Sequence, residues 1–570
     1  MQPCTEDVPD QVNPERGPHN AGNSSDEESP ERDHGLFEDP EFLLDESTFD
    51  PKKWGFNIEA AEVEWVRVPD FARRIQKSPP ILVPEEHLIT DVYQRQLPNC
   101  WLVAGLSELT EYPELLKKVV PPNQNCFGTG KVHLNLWSFG EWKEIIVDDR
   151  IPILQHDEHF GAKSSNAQVF WPPLLEKAFA KYCKGYNGAL LPQDGMTLLT
   201  GGLCETIDLK TATVLKITEN LGKAKSKNAM LFASTKPRSE NDANEIIQGI
   251  GVYPQHVYSV YKTFNVAVRS GSLKGMHDFI VLKNPHDPEN NPWTEGSIPG
   301  YHGPWSKHSY EWNAIPVDAK QEISHHAEGN EFCMPFETFK EYFDFIHICH
   351  LDKRNLGALP GGMNSYQVRG VYPNPEPLVV DDDGEIIHYS PNLHNNPRFL
   401  LKINGGDELV EVMLGLMVDP KSFEGGVHYL DKPKEEKEKI EKLKKEKKKQ
   451  NILKHLSKLS KKLAKVVGLD EAREEKEGMR KISKMAKSLG IWIFPIEENC
   501  YLQSNHIHAY KNKVPTVGPD FVPTNQLVDR VKLFPGSYIL IPSINANDVW
   551  DLEFFIRVFT EHDEVSLTAL

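Results

Sequence analysis

The stretch QRQLPNCWLVAGL, Gln94 to Leu106, places a glutamine six residues ahead of a cysteine that opens an apolar run. Leu102, Leu106 and Leu109 recur at helical spacing, which predicts a helix starting at Cys100 with Asn99 as its N-cap. A thiol on the first helical turn faces unpaired backbone N–H groups and the positive end of the helix dipole, both of which favour the nucleophilic thiolate. Gln94, turned back toward the same point, supplies a side-chain N–H for an oxyanion beside the Cys100 amide. A buried structural thiol is the competing reading of any single cysteine, so the assignment requires a base.

The stretch QHVYSVYKTFNVAVRSGSLKGMHDFIVLKNP, Gln255 to Pro285, supplies one. Two β-rich runs, His256 to Val268 and Met276 to Lys283, flank a Ser/Gly-rich loop and read as an antiparallel hairpin. His256 and Asn284 are equidistant from position 270, which is expected to set them opposite each other with the carboxamide oxygen accepting from the imidazole. A slip of register would turn one side chain away, and an ordinary strand histidine stays open as the alternative reading of His256.

Further blocks carry a resemblance. LFEDPEF (Leu36–Phe42), VEWVRVPDF (Val63–Phe71), LNLWSFGEWKEIIVDDRIPI (Leu134–Ile153), FWPPLLEKAFAKY (Phe170–Tyr182), TGGLCE (Thr200–Glu205), EFCMPFETFKEYF (Glu331–Phe343) and ICHL (Ile348–Leu351) follow one another in order. Together with the cysteine and histidine stretches they resemble the calpain family of papain-like cysteine endopeptidases. The resemblance implies an α+β fold: a two-lobed papain-like protease core with a helical Cys lobe and a β-rich His/Asn lobe, followed by an antiparallel β-sandwich. It implies Cys100 as nucleophile, His256 as base, Asn284 as orienter and Gln94 as oxyanion donor.

The 570 residues suggest three or four domains. Residues 1–35 hold nine acidic residues against two basic and no aromatic, and are expected to form a disordered tail. Residues 36–204 are assigned to an anchor segment and the Cys-bearing half, and 205–352 to the His/Asn-bearing half. Residues 353–570 are assigned to the sandwich, whose clearest strands read as Phe399–Ile403, Leu409–Val418, Ile491–Ile496, Ser537–Ile544 and Phe554–Phe559. No calcium loop of the form DxDxDG appears after them, so no penta-EF-hand small-subunit contact is expected. Eight scattered cysteines without a CxxC pair argue against structural zinc and a disulfide framework. The absence of a long apolar run or a signal-like N-terminus leads to a cytoplasmic expectation.

A Lys-rich helical insertion is expected at about 431–489. Lys432 to Val466 contains fifteen Lys and five Glu, a local charge of +10 within a chain of net charge −19. Leucines at helical spacing make it a basic amphipathic segment, suited to anionic phospholipid at a membrane periphery or to an acidic partner; a solvated surface insertion without a ligand is the plain alternative. Nucleic acid is not expected, because the run lacks aromatics and the rest of the chain is acidic.

The chemistry requires no cofactor, while the resemblance implies calcium bound by core loops. Asp91 and Glu331 match ligand positions. Val169, Lys307 and Gly329 stand where the family has or favours acidic ligands, so these positions are degraded. His286 replaces the tryptophan that shields the Asn–His bond, leaving Trp293 or Trp305 as candidates for that role. The expected function is limited proteolysis of protein substrates. An inactive calpain-like scaffold and a membrane-recruited binding module are the alternatives.

Overall fold

A computed structural model describes residues 35–570 apart from 46, 51–62, 76–77, 85–90, 155, 187–189, 270, 289–300, 308, 326–329, 373–395, 419–487, 497–525 and 546–551. The acidic tail, the basic insertion, Trp293 and Gly329 lie outside the described residues.

Helix α1 (Cys100–Leu109) is buried along its whole length, because nearly every residue from Cys100 to Leu109 is apolar or small and can face protein on all sides. Asn99 occupies the N-cap position only through its backbone: its carbonyl accepts from the amides of Leu102 (2.8 Å) and Val103 (3.1 Å). Its side chain makes no cap and instead donates to Glu176 Oε1 at 2.6 Å.

Strands β1 (Lys131–Ser138) and β2 (Glu141–Asp148) form a hairpin. Its two-residue turn puts both Phe139 and Gly140 at positive φ, the geometry that matches strand twist. Helix α2 (Trp171–Tyr182) is followed by α3 (Pro192–Thr200). Gly201 ends α3 in the left-handed region at φ 65°, where a side chain would be strained.

The chain then builds a six-stranded antiparallel sheet from β3 (Leu203–Asp208), β4 (Met230–Ser234), β5 (Val257–Val268), β6 (Gly275–Lys283), β7 (Glu331–Pro335) and β8 (Phe345–His350), in the order β7-β6-β5-β4-β8-β3. The first four residues of β5 are buried on both faces, and Ser259 Oγ reaches the Ala104 carbonyl of α1 at 3.4 Å. The outer part of β5 is half-buried and alternates, as a strand with one wet face should.

Eight further strands follow: β9 (Asn364–Tyr372), β10 (Phe399–Ile403), β11 (Val410–Val418), β12 (Ser488–Ile496), β13 (Gln526–Leu533), β14 (Gly536–Asn545), β15 (Leu552–Thr560) and β16 (Val565–Ala569). They form two four-stranded sheets, β9-β15-β11-β13 and β12-β14-β10-β16. Leu414 and Ile556 from the first share one apolar core with Leu401, Ile493 and Leu540 from the second. The molecule is thus an α+β protein. No helix among the described residues is long and apolar enough to cross a membrane.

Candidate active site

Cys100 opens α1, and its side chain is 9% exposed. Burial pushes the thiol up to about 11, with the neighbouring backbone N–H groups pulling the other way. The α1 helix lies against β5, where Ser259 Oγ reaches the Ala104 carbonyl.

The hairpin has a different register from the one expected. Ser259 pairs with Lys283 and Val268 with Gly275, with an irregularity between Val260 and Lys262. Continuing that register sets His256 opposite His286, two residues beyond Asn284. The loop centre lies later than position 270, which shifts the pairing. Asn284 nonetheless reaches the imidazole diagonally: its Oδ1 lies 2.9 Å from His256 Nε2. With Nε2 donating there, Nδ1 is left as an acceptor for a thiol proton.

Both partners are held from behind. The His256 amide donates to Thr235 Oγ1 at 3.0 Å, and the His256 carbonyl accepts from the Thr235 amide at 3.0 Å. Asn284 donates from its backbone to Asn330 O at 2.8 Å and accepts Asn330 Nδ2 on its own carbonyl at 2.7 Å. Burial lowers the imidazole of His256 to about 4, with the Asn284 bond opposing. Burial therefore favours the neutral form of both groups.

Gln94 lies at the same place through its backbone. Its amide donates to Pro285 O at 2.7 Å, and its carbonyl accepts from the Asp287 amide at 3.3 Å. Its side-chain Nε2 donates to Leu97 O at 2.7 Å, which leaves one hydrogen of the amide group for another acceptor.

Several residues around the site carry no local sequence signal. Glu176, buried in α2, accepts Asn99 Nδ2 and the Ala162 amide, the latter at 3.0 Å on each oxygen, and so braces the turn before Cys100. A methyl group at Gly161 would overlap Glu176 Oε2. Arg95, 4% exposed, donates to Asp287 Oδ2 at 2.9 Å, and Lys163 Nζ lies 2.6 Å from the same oxygen. Asp287 is 1% exposed. Only the FWPPLLEKAFAKY block, which contains Glu176, offered a hint; nothing local marks Arg95 with Asp287.

Trp305, considered as a shield, packs instead against His277 and Phe279, at centroid distances of 4.5 and 5.7 Å. His286 takes the place beside His256.

Asp91 is claimed by a lysine that stands opposite Glu331 in strand register. Asp91 Oδ1 accepts from Lys283 Nζ, and Lys283 is the cross-strand partner of Glu331. Tyr93 Oη lies 3.3 Å from the other oxygen of Asp91. A hard dication needs several unclaimed oxygen ligands, and an ammonium group on the carboxylate repels it. Among the described residues, these two carboxylates do not make a calcium site; residues 85–90 and 326–329 beside them lie outside the described residues. Among the described residues no group of three or more His, Cys, Asp or Glu side chains is placed to hold a metal.

A cysteine at a helix start with an Asn-bound histidine on an adjacent strand is the arrangement of a thiol protease. A family model described as calpain family cysteine protease matches residues 37–350. The chain belongs to the calpain family, whose protease core is papain-like. It is 27% identical to Calpain-A of Drosophila melanogaster over 92% of this chain and 56% of that protein. It is 27% identical to the Calpain-2 catalytic subunit of Homo sapiens over 92% of this chain and 66% of that protein. With Calpain-12 of Mus musculus it shares 32% identity over 65% of this chain and 49% of that protein. The chain spans between about half and two thirds of the length of the first two relatives.

Proposed function

We propose that this chain is an active calpain-like endopeptidase of the cytoplasm that performs limited proteolysis of protein substrates through Cys100, His256 and Asn284. The observation that carries this reading is the 2.9 Å contact between His256 Nε2 and Asn284 Oδ1.

The cycle starts from neutral groups. As the Cys100 sulfur attacks the peptide carbonyl, its proton passes to His256 Nδ1, and the charge forming on the carbonyl oxygen is met by the Cys100 N–H and the second Nε2 hydrogen of Gln94. His256 then gives that proton to the leaving amine, and the C–N bond breaks to leave a thioester. Water adds to the thioester carbon while His256 takes a proton from it. Collapse of that adduct releases the carboxylic acid and returns the proton to the sulfur. Asn284 keeps Nε2 occupied, so that Nδ1 alone exchanges protons.

The architecture fits this reading. Residues 36–204 with the α1 helix serve as the Cys-bearing lobe, and 205–352 with the six-stranded sheet as the His/Asn-bearing lobe. Residues 353–570 serve as a β-sandwich, supported by the shared core of its two sheets. The basic run from Lys432 to Val466 is assigned to contact with anionic phospholipid or an acidic partner, on its charge alone.

An electrophilic thiol probe tests the proposal. Folded protein is expected to be labelled at Cys100, with labelling abolished in Cys100→Ala and slowed about a hundredfold in His256→Ala. A folded wild-type chain that neither labels at Cys100 nor cleaves peptides would establish the inactive scaffold instead.

A further inference from the structure

Two short segments meet beside the site, and they carry its two carboxamides. One, Asp91 to Arg95, leads toward α1 and contains Gln94; the other, Lys283 to Asp287, leaves β6 and contains Asn284. They are bonded at three levels. At one end the ammonium of Lys283 rests on the Asp91 carboxylate. In the middle, the Gln94 amide donates to Pro285 O at 2.7 Å and the Gln94 carbonyl accepts from the Asp287 amide at 3.3 Å. At the other end Arg95 Nη1 donates to Asp287 Oδ2 at 2.9 Å, Lys163 Nζ lies 2.6 Å from that oxygen, and Arg95 Nη2 donates to Glu158 Oε2 at 3.0 Å.

Opposite charges face one another in this group. Asp287 and Glu158 face Arg95 and Lys163, and Asp91 faces Lys283. A carboxylate as deeply buried as that of Asp287 requires cationic partners, and the chain supplies two. Asp91, a position where the family resemblance implies a metal ligand, has its cation from Lys283, the last residue of β6 and the neighbour of Asn284. The segments are therefore fastened by side chains at the points where a bound cation would otherwise be needed.

We infer that Lys283 on Asp91, together with Arg95 and Lys163 on Asp287, forms an ionic clamp that positions Asn284 and Gln94 for catalysis without a metal ion. The inference rests on the protease reading above. These are positioning residues: none touches the reacting atoms, but displacing either segment moves the histidine orienter and the oxyanion donor together. Loss of the clamp therefore lowers kcat more than it raises KM.

The test measures peptide hydrolysis by the full chain in excess chelator and in added calcium. The wild type is expected to show the same kcat in both, within about twofold, since a shared population needs no ligand to be populated. In chelator, Lys283→Met and Asp287→Asn are each expected to lose about tenfold or more in kcat with KM within about threefold. Lys283→Arg, which keeps the charge, is expected to retain the rate, and this rescue separates positioning from a general packing effect. Circular dichroism confirms that each variant is folded, and an unfolded Asp287→Asn leaves the Lys283 pair of variants to decide.

Hydrolysis by the wild type only with calcium overturns the clamp and leaves the protease reading standing. Full activity of a folded Lys283→Met in chelator also overturns it. No hydrolysis in either condition, with Cys100 unreactive toward the thiol probe, overturns the protease reading itself and the clamp with it.

Discussion

The ring of His286 lies over that of His256, with centroids 4.3 Å apart and planes inclined at 39°. The His286 backbone N–H donates to Asn284 Oδ1 at 3.1 Å, the same oxygen that faces His256 Nε2. Tyr253 and Tyr258 meet these rings edge-on, at 5.1 Å from His286 and 4.8 Å from His256. The bond that orients the base is thus walled by two tyrosines and a second imidazole, which exclude the water that would compete for it. His286→Ala is expected to lower kcat about tenfold, whereas His286→Phe keeps most of the rate because a ring still covers the bond. Steady-state kinetics at neutral pH compares the two.

Asn284 and Gln94 should differ in what their loss does. Asn284→Ala frees the imidazole to rotate and releases the His286 amide, and about a hundredfold loss in kcat is expected with KM little changed. Gln94→Ala removes a donor used only when charge builds on the carbonyl oxygen, so kcat falls about 10²–10³-fold. Initial probe alkylation of Cys100 involves no oxyanion, so it should be nearly unchanged in Gln94→Ala and slowed in Asn284→Ala. Equal slowing in both would show that Gln94 acts on the fold of the loop instead.

Buried titratable groups set how stability varies with pH, in two opposite directions. His347 bridges Thr206 and Ser234, at 2.9 and 2.8 Å, and burial lowers its imidazole from the ordinary 6.5 to about 4, as it does for His256. The unfolded chain binds these protons more readily, so their contribution is whole above about pH 6.5 and is lost as pH falls toward about 4. His347→Gln should flatten the acid side of a plot of unfolding free energy against pH, by on the order of 2–3 kcal/mol. Glu176 runs the other way: burial raises its carboxyl from 4.5 to about 7. Its contribution is whole below about 4.5 and is lost as pH rises through about 7, and Glu176→Gln should remove that loss. Urea titrations at several pH values read both slopes.

Arg557 joins the last sheets to the protease core. Its guanidinium, 2% exposed, donates to the carbonyls of Gly201 and Gly202 and stacks 4.3 Å from the Trp137 ring centroid. Arg557→Met keeps much of the volume but leaves two carbonyls without a donor, at an expected cost of about 2–4 kcal/mol. A fall in the midpoint of chemical denaturation checks it, and an unchanged midpoint would mean that this junction contributes nothing to stability.

The local part of the fold was legible because it depends on short-range pattern. Cys100 at the start of an apolar helix, the hairpin from His256 onward, the strand at Phe399–Ile403 and that read at Phe554–Phe559, which runs Leu552–Thr560, each lie where apolar periodicity or β-rich composition put them. Strands β9, β13 and β16 escaped notice. Their sequences, such as NSYQVRGVY and QLVDRVKL, mix charge with apolar residues and become strands through pairing with β15, β11 and β10. Register differed too: Ser259 pairs with Lys283, a shift of two residues from the expected hairpin, because turn geometry rather than composition sets pairing.

What the sequence by itself determined is the family, because its signature residues stand in ordered blocks along the chain; the thiol, base and amide it offers are the groups proposed to react. What only the tertiary structure decided is which charges hold those groups in place. Lys283 with Asp91, Arg95 with Asp287, and Glu176 with Asn99 are pairs separated by 192, 192 and 77 positions. No local propensity links such residues; burial links them, because a charge or amide removed from water must find its partner wherever the folded chain brings one within reach.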